Sequence, residues 1–262
     1  MDIIVRNTPS PGSSFTQNTK NSIISYYEYC QEHIHESGAF RDYRNYVCTE
    51  KNTNAKNDRT IFPLLKNLGF MIYNPHDIIK YSKLFTPKGI ALVKTFIMEQ
   101  KLEEKKDSLP SDNYYESKKH INNAIEELIF DGIWNAIKEH PEMTYRDVLI
   151  LSIQFLLKYN SFDKVEFCYM LYCSQNNITN YAESEQIIQQ YRAGHLEINV
   201  KSDTYDKKTG DASQRKISGI DSITCYTYIA NLLSNAGIVD KTNKKRFELR
   251  SSNKEKAAAL IA

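Results

Sequence analysis

The chain has 262 residues, 41% of them apolar, with 34 Lys and Arg against 32 Asp and Glu for a net charge of +2. That length supports two or three small domains, the apolar content excludes wholesale disorder, and the charge is too small to argue for a nucleic-acid partner by itself. No apolar run approaches the ~20 residues of a membrane span, and no signal-peptide core follows Met1-Asp2-Ile3-Ile4-Val5-Arg6, so the expectation is a cytoplasmic protein with no membrane partner.

Arg6-Asn7-Thr8-Pro9-Ser10-Pro11-Gly12 opens the chain as a turn-rich segment. Asn21 to His35 carries Ile23, Ile24, Tyr27, Cys30 and Ile34 on one side of a helix, with Gly38 near its end. Asn52 to Asp58 reads as a polar loop. A short apolar helix follows from Arg59 and stops at Gly69. The spacing then predicts a strand (Phe70 to Tyr73), a turn (Asn74 to Asp77) and a second strand (Ile78 to Phe85). Thr86-Pro87 opens a new helix, because Thr accepts from free helix N–H groups and Pro at the first helical position loses nothing. This helix runs through Ile90, Val93, Phe96 and Ile97 into the charged run Glu99 to Asp107. Ser108-Leu109-Pro110-Ser111-Asp112 breaks it, which sets residues 1–108 as a first domain.

Tyr115 to Glu139 is a helix with Ile121, Ile125, Leu128, Ile129, Ile133 and Ile137 at helical spacing, ended by Pro141. Thr144 caps the next helix, and Tyr159-Asn160-Ser161 joins it to a third over Phe162 to Tyr172. That pair is either a helix-turn-helix or an ordinary helical hairpin. A further helix, Ala182 to Ala193, ends at Gly194, so residues 109–196 form a helical unit. Lys201 to Lys216 reads as a loop of low hydrophobicity. In the last domain, 197–262, a helix over Ile217 to Ala236 stops at Gly237. A turn (Asp240 to Lys244) and a strand (Lys245 to Leu249) follow, and Ser252-Asn253-Lys254-Glu255 fits a capping box for the terminal helix. Helix, Gly stop, hairpin and capped helix occur twice. The expected fold is mainly α with small β-hairpin wings: tandem winged-helix-like units around a helical middle.

Chemistry is sparse. Glu99-Gln100-Lys101, Glu103-Glu104-Lys105, Glu104-Lys105-Lys106 and Glu116-Ser117-Lys118 match half of a metal-dependent nuclease motif, but none follows a strand bearing the second carboxylate that would hold Mg²⁺. The six histidines form no zinc pattern, the five cysteines form no C-x-x-C and read as reduced thiols, and there is no phosphate loop or nucleophile elbow. No catalytic or metal-ligating residue is expected in this chain. Candidate DNA-binding residues sit better. Lys56, Asn57 and Arg59 flank the start of the helix that ends at Gly69, where Arg can take guanine O6/N7 and Asn adenine N6/N7; Lys66 lies further along it. Arg215 and Lys216 precede the last helix, and of Tyr226 and Tyr228 inside it one packs in the core while the other can reach a phosphate. Lys244, Lys245 and Arg246 belong to a basic cluster from Lys241 to Lys256 that covers the second wing. The plainer alternatives are an Arg59–Asp58 surface ion pair and a solvated hairpin.

These blocks, in this order, resemble the N-terminal DNA-recognition region of the AlwI-like type IIS restriction and nicking endonucleases, and more distantly that of FokI. Arg6 to Pro11 resembles the family's Asn/Ser-x-Pro-Arg-x-Pro motif without its Arg. Lys56 to Phe70 resembles its Arg-containing helix ending in x-x-Gly-Phe, and Leu84 to Gly89 its strand Leu-x-Ile-Thr-x-x-Gly. Val148 to Asn176 resembles its paired-helix block. Ser222 to Val239 resembles a helix ending in Thr-Gly-Leu-Phe, with Asn235-Ala236-Gly237-Ile238 in that place. The resemblance implies a monomeric recognition module for a short asymmetric duplex site in a type II restriction–modification nuclease. It also implies a Mg²⁺-dependent PD-(D/E)xK hydrolase domain C-terminal to these residues, cutting at a fixed offset. The alternatives are a winged-helix replication initiator or transcription regulator, with a palindromic or repeated site, and a module that binds protein rather than DNA.

Overall fold

A computed structural model describes residues 1–51, 55–178, 180–205, 215–242 and 245–262; the side chains of 55–58, 181, 204–205 and 215–216 stand outside that description. In chain order the elements are β1 (Asp2–Arg6), α1 (Gln17–Glu32), β2 (Ser37–Ala39), α2 (Phe40–Glu50), α3 (Ala55–Asn67), β3 (Ile78–Lys80), α4 (Pro87–Glu104) and α5 (Ser111–Glu139). Then come α6 (Arg146–Tyr159), β4 (Ser161–Phe162), α7 (Lys164–Gln175), α8 (Tyr181–Arg192), β5 (Asn199–Tyr205), β6 (Arg215–Gly219), α9 (Cys225–Asn235), β7 (Val239–Lys241), β8 (Phe247–Leu249) and α10 (Lys254–Ile261). The protein is mostly helical with small sheets. Among the described residues no helix is long and apolar enough to cross a membrane.

The chain divides into two compact units. The first is Pro11–Met143 with Asn231–Ile238; the second is Met1–Ser10, Thr144–Ala230 and Val239–Ala262. The break at Ser108 to Pro110 is thus a turn between α4 and α5 inside the first unit.

In the first unit, Thr16 caps α1 by accepting the Thr19 N–H, and α1 buries Ile23, Ile24, Tyr26, Tyr29 and Cys30. The next helix, α2, was not foreseen. Its Phe40, Tyr43 and Val47 fall on one buried face, and the Tyr43 hydroxyl donates to the Tyr26 carbonyl at 2.9 Å. The helix α3 starts at Ala55, inside the expected loop 52–58, whose residues 52–54 lie outside the described ones. It ends as the sequence predicts. Gly69 sits at φ +74°, its N–H donates to the Lys66 carbonyl, and the Phe70 N–H reaches back to Leu65 at 2.8 Å.

The hairpin expected over 70–85 is looser than its sequence suggests. Met71 and Phe85 form one antiparallel bridge, extended by Ile72 N–H to Leu84 and Thr86 N–H to Phe70, while β3 pairs with β2. Tyr81 is the reason. Its ring enters the core beside Tyr29 and Tyr43, at 5.9 and 5.2 Å, and Tyr81–Lys83 becomes a 3-10 turn instead of a strand. Thr86 caps α4 as predicted, accepting from the Gly89 N–H at 3.0 Å and donating to the Gly69 carbonyl at 2.8 Å. Packed against α1 and α5, α4 is pinned by Lys20 on Glu99 at 2.6 Å and by the ring cluster of Phe15, Phe70 and Phe96.

In the second unit, β1 runs parallel to β5, from Asp2↔Asn199 to Arg6↔Asp203, and buries Ile3 and Val5. Antiparallel β6 completes that sheet. The expected loop 201–216 is therefore two strand arms around residues 206–214, which lie outside the described ones. The expected helix from Ile217 also changes: Arg215–Gly219 is strand, Ile220–Ser222 a 3-10 turn, and α9 begins at Cys225. Pairing with β5 overrides local propensity there.

Thr144 does not cap α6. The N-cap position is Tyr145, which makes no side-chain capping bond and buries its ring instead. The capping box lies at α7, where Asp163 accepts the Glu166 N–H and Glu166 accepts the Asp163 N–H, both at 2.9 Å. The box expected at 252–255 does not form, because Ser251–Asn253 winds into a 3-10 turn before α10. The final hairpin is present: β8 lies between β4 and β7, antiparallel to both.

The end of α9 repeats that of α3. Leu232-Leu233-Ser234-Asn235-Ala236-Gly237 matches Leu64-Leu65-Lys66-Asn67-Leu68-Gly69 at four of six positions. Gly237 sits at φ +68°, with its N–H on Ser234 and the Ile238 N–H on Leu233 at 2.9 Å.

Candidate nucleic-acid interface

On the first unit, the start of α2, the exposed side of α3 and the turn after Tyr73 enclose a groove of about 720 Å³. Its floor is aromatic. Phe40 and Tyr73 stack at 3.8 Å and 7°, and Phe62 meets Phe40 edge-on at 5.1 Å. Its walls carry Arg41, Arg44, Arg59 and His76 with one acid, Asp42. Arg41 is well exposed, and among the described residues its one ion-pair neighbour is Asp42, at 3.9 Å. Arg44 is half-buried and Arg59 exposed. Among the described residues no carboxylate forms an ion pair with Arg44 or Arg59. Burial pushes the Tyr73 hydroxyl up to about 12, while the nearby Arg44 guanidinium acts in the opposite direction. Lys66, exposed on the next turns of α3, holds its ammonium 5.2 Å from the Tyr73 ring centre. Lys56 and Asn57 lie in the first turn of α3; their side chains, and that of Asp58, stand outside the described ones.

In the second unit the basic run separates into two kinds of residue. Arg246 turns inward. It donates to the fully buried Glu166 carboxylate and to Ser161 Oγ at 3.2 Å, and it lies 3.6 Å from Asp163. Arg192 of α8 grips the same Glu166 at 2.5 Å and donates to the Tyr159 and Ser161 carbonyls. Arg250 pairs with Asp240 at 2.8 Å. Lys245 is exposed with φ +58°, whereas Lys244 lies outside the described residues. Tyr226 is the core tyrosine: its ring packs on Phe162, Phe167 and Phe247, and its hydroxyl donates to the Lys245 carbonyl at 3.2 Å. Burial raises its hydroxyl well above the ordinary tyrosine range. Tyr228 is half-exposed. Arg215 and Lys216 lie in β6 rather than before a helix, and their side chains stand outside the described ones.

The E-x-K residues lie along α4 and α5 and in the turn between them. Glu103 accepts from Lys118 at 2.6 Å and from Tyr114 at 2.8 Å, and these bonds hold its carboxyl below the usual range. Among the described residues no three His, Cys, Asp or Glu side chains converge as metal ligands. All five cysteines are free thiols, three of them buried.

Arg59 and Lys66 thus share one surface of the first unit, whereas Arg246 and Tyr226 spend their polar atoms inside the second. Sequence reasoning missed Arg41 and Arg44. The signal was present in Phe40-x-x-Tyr43-x-x-x-Val47, a buried stripe at helical spacing that turns both arginines away from the core. No family model, curated protein or solved structure matches this chain.

Proposed function

We propose that the chain is a sequence-specific double-stranded DNA recognition module made of two winged-helix units. The repeated element order supports this reading. One copy runs α1, β2, α2, α3, then the bridged segment around Met71 and β3; the other runs α6, β4, α7, α9, β7 and β8, with α8, β5 and β6 inserted before α9. In both copies the first short strand pairs with the last arm of the hairpin, β2 with β3 and β4 with β8. In both, the helix after the hairpin packs on the first helix, α4 on α1 and α10 on α6. A helix stopped by Gly and backed by a hairpin is a rigid mount for side chains that enter a DNA groove. In the first unit that helix is α3, with Arg59 exposed on it.

The resemblance to AlwI-like nucleases supports reading this module as part of a restriction endonuclease that would recognise a short asymmetric site as a monomer, with Mg²⁺ chemistry in a separate domain. Supercoiled plasmid incubated with this chain and Mg²⁺ should stay supercoiled. Site-specific nicking lost in Glu104→Ala or Glu116→Ala would overturn that assignment.

Arg59→Ala should weaken binding to the selected site by about 1–3 kcal/mol while leaving random duplex nearly unaffected. Binding-site selection on wild type and variant tests this. The same sequence logo and the same cognate-to-random ratio from both would remove Arg59 from the readout. No duplex binding even at low salt would instead favour a protein-binding scaffold.

A further inference from the structure

The two copies of the repeat treat the same corner differently. In each, the helix after the first short strand begins where the hairpin passes. In the second unit this corner is neutral by its own means: Asp163 and Glu166 in and before the first turn of α7 meet Arg246 of the hairpin and Arg192 of α8. In the first unit the matching corner carries Arg41 and Arg44 of α2, with only Asp42 at 3.9 Å from Arg41, and Arg59 across the groove. The N-cap position of α2 is Ala39, which supplies no side-chain capping bond, so the partial positive charge of the helix start adds to the same sign. Guanidinium groups that line one groove repel one another unless an anion enters between them. The second unit supplies that anion from its own chain. In the first, no described acid beyond Asp42 does so, and the groove is about 720 Å³, ample for a phosphate and its sugar.

We propose that Arg41 and Arg44 form a phosphate clamp that holds one backbone strand of the bound nucleic acid beside α3, leaving Arg59 to reach the bases. This rests on the duplex-binding reading. It assigns the division of labour as well: the groove of the first unit grips the strand, and the ion cluster of the second is internal scaffolding. Arginine suits the task because its planar fork takes two phosphate oxygens at once.

The test compares wild type with Arg41→Gln/Arg44→Gln and Arg41→Lys/Arg44→Lys in two assays. The first is duplex binding by fluorescence anisotropy from 50 to 300 mM salt. The Gln pair should flatten the slope of log affinity against log salt by about two, equally on cognate and random duplex, because each phosphate contact adds about 0.9. The Lys pair should keep most of that slope. The second assay is thermal melting with and without inorganic triphosphate, which reads the anion site without DNA. Wild type should gain stability that the Gln pair lacks, while both melt alike without the anion.

If wild type binds duplex and the Gln pair keeps the full slope, the clamp is wrong and the DNA reading stands. If wild type binds no duplex yet its triphosphate gain vanishes in the Gln pair, the anion site stands, its ligand is a free phosphorylated compound, and the DNA reading falls. If triphosphate stabilises neither protein and no duplex binds, both are overturned. A Gln pair that melts early without anion would mark the arginines as structural and also overturn the clamp.

Discussion

Gly89→Ala should unfold the first unit at markedly lower denaturant. A Cβ at this position would lie 1.9 Å from the Phe70 carbonyl oxygen and 2.8 Å from its carbon, both backbone atoms that cannot rotate away. That carbonyl also accepts the Thr86 N–H at 3.1 Å, so moving it loosens the cap of α4 and the start of the hairpin together. The expected cost is about 3 kcal/mol, at the top of the usual range for overpacking. Trp134 is the only tryptophan and lies in α5 of the same unit, so urea unfolding followed by its fluorescence measures the loss directly. Gly219→Ala is the control. It lies in the second unit with no described atom within 4 Å of where its Cβ would stand, so its midpoint followed by far-UV circular dichroism should move by no more than about 0.5 kcal/mol. An unchanged midpoint for Gly89→Ala would mean that α4 does not approach Phe70 this closely.

Glu166→Gln should be the most damaging isosteric change in the second unit. Its side chain is fully buried between Arg192 and Arg246, and Gln keeps an oxygen to accept the Asp163 N–H, so the capping box can survive while the charge does not. Among the described residues Arg246 would then keep one carboxylate, Asp163 at 3.6 Å, and Arg192 the uncharged Tyr159 and Ser161 carbonyls. Removing one partner from a buried ion pair costs about 3–5 kcal/mol, mostly from the charges left behind. Urea unfolding followed by far-UV circular dichroism tests this, and a loss below about 1 kcal/mol would mean that water reaches the cluster. The consequence for binding work is direct: substituting Arg246 perturbs folding before it perturbs any wing contact, and exposed Lys245 is the cleaner probe of that hairpin.

The helix ends were legible in the sequence because they rest on local chemistry. Thr86-Pro87 and the two Gly stops name their own partners within a few residues. Asp163-x-x-Glu166 was equally local but hidden by reading a helix from Phe162. The strand partners were not legible, because pairing is non-local. Nothing near Ile78 says that its partner is Ala39, and nothing near Lys201 points to Ile4. The site was half legible for the same reason. Arg59 stands out by its place before Gly69, while the basic run 241–256 reads as one solvated face. The acids that claim Arg246 lie about 80 residues earlier, and only the fold brings them to it.

The parallel pairing of β1 with β5 also sets a timetable. Asp2 is made 197 residues before its partner Asn199. At typical synthesis rates of about 5–20 residues per second, that strand waits roughly ten to forty seconds. During that interval nearly all of the first unit, Pro11–Met143, has left the ribosome and can fold on its own contacts. Ile3 and Val5, buried in the finished protein, meanwhile stay open to whatever binds extended apolar chain. The β1 strand should therefore stay open to chaperones until residue 199 is made, and slowing translation should lengthen that exposure.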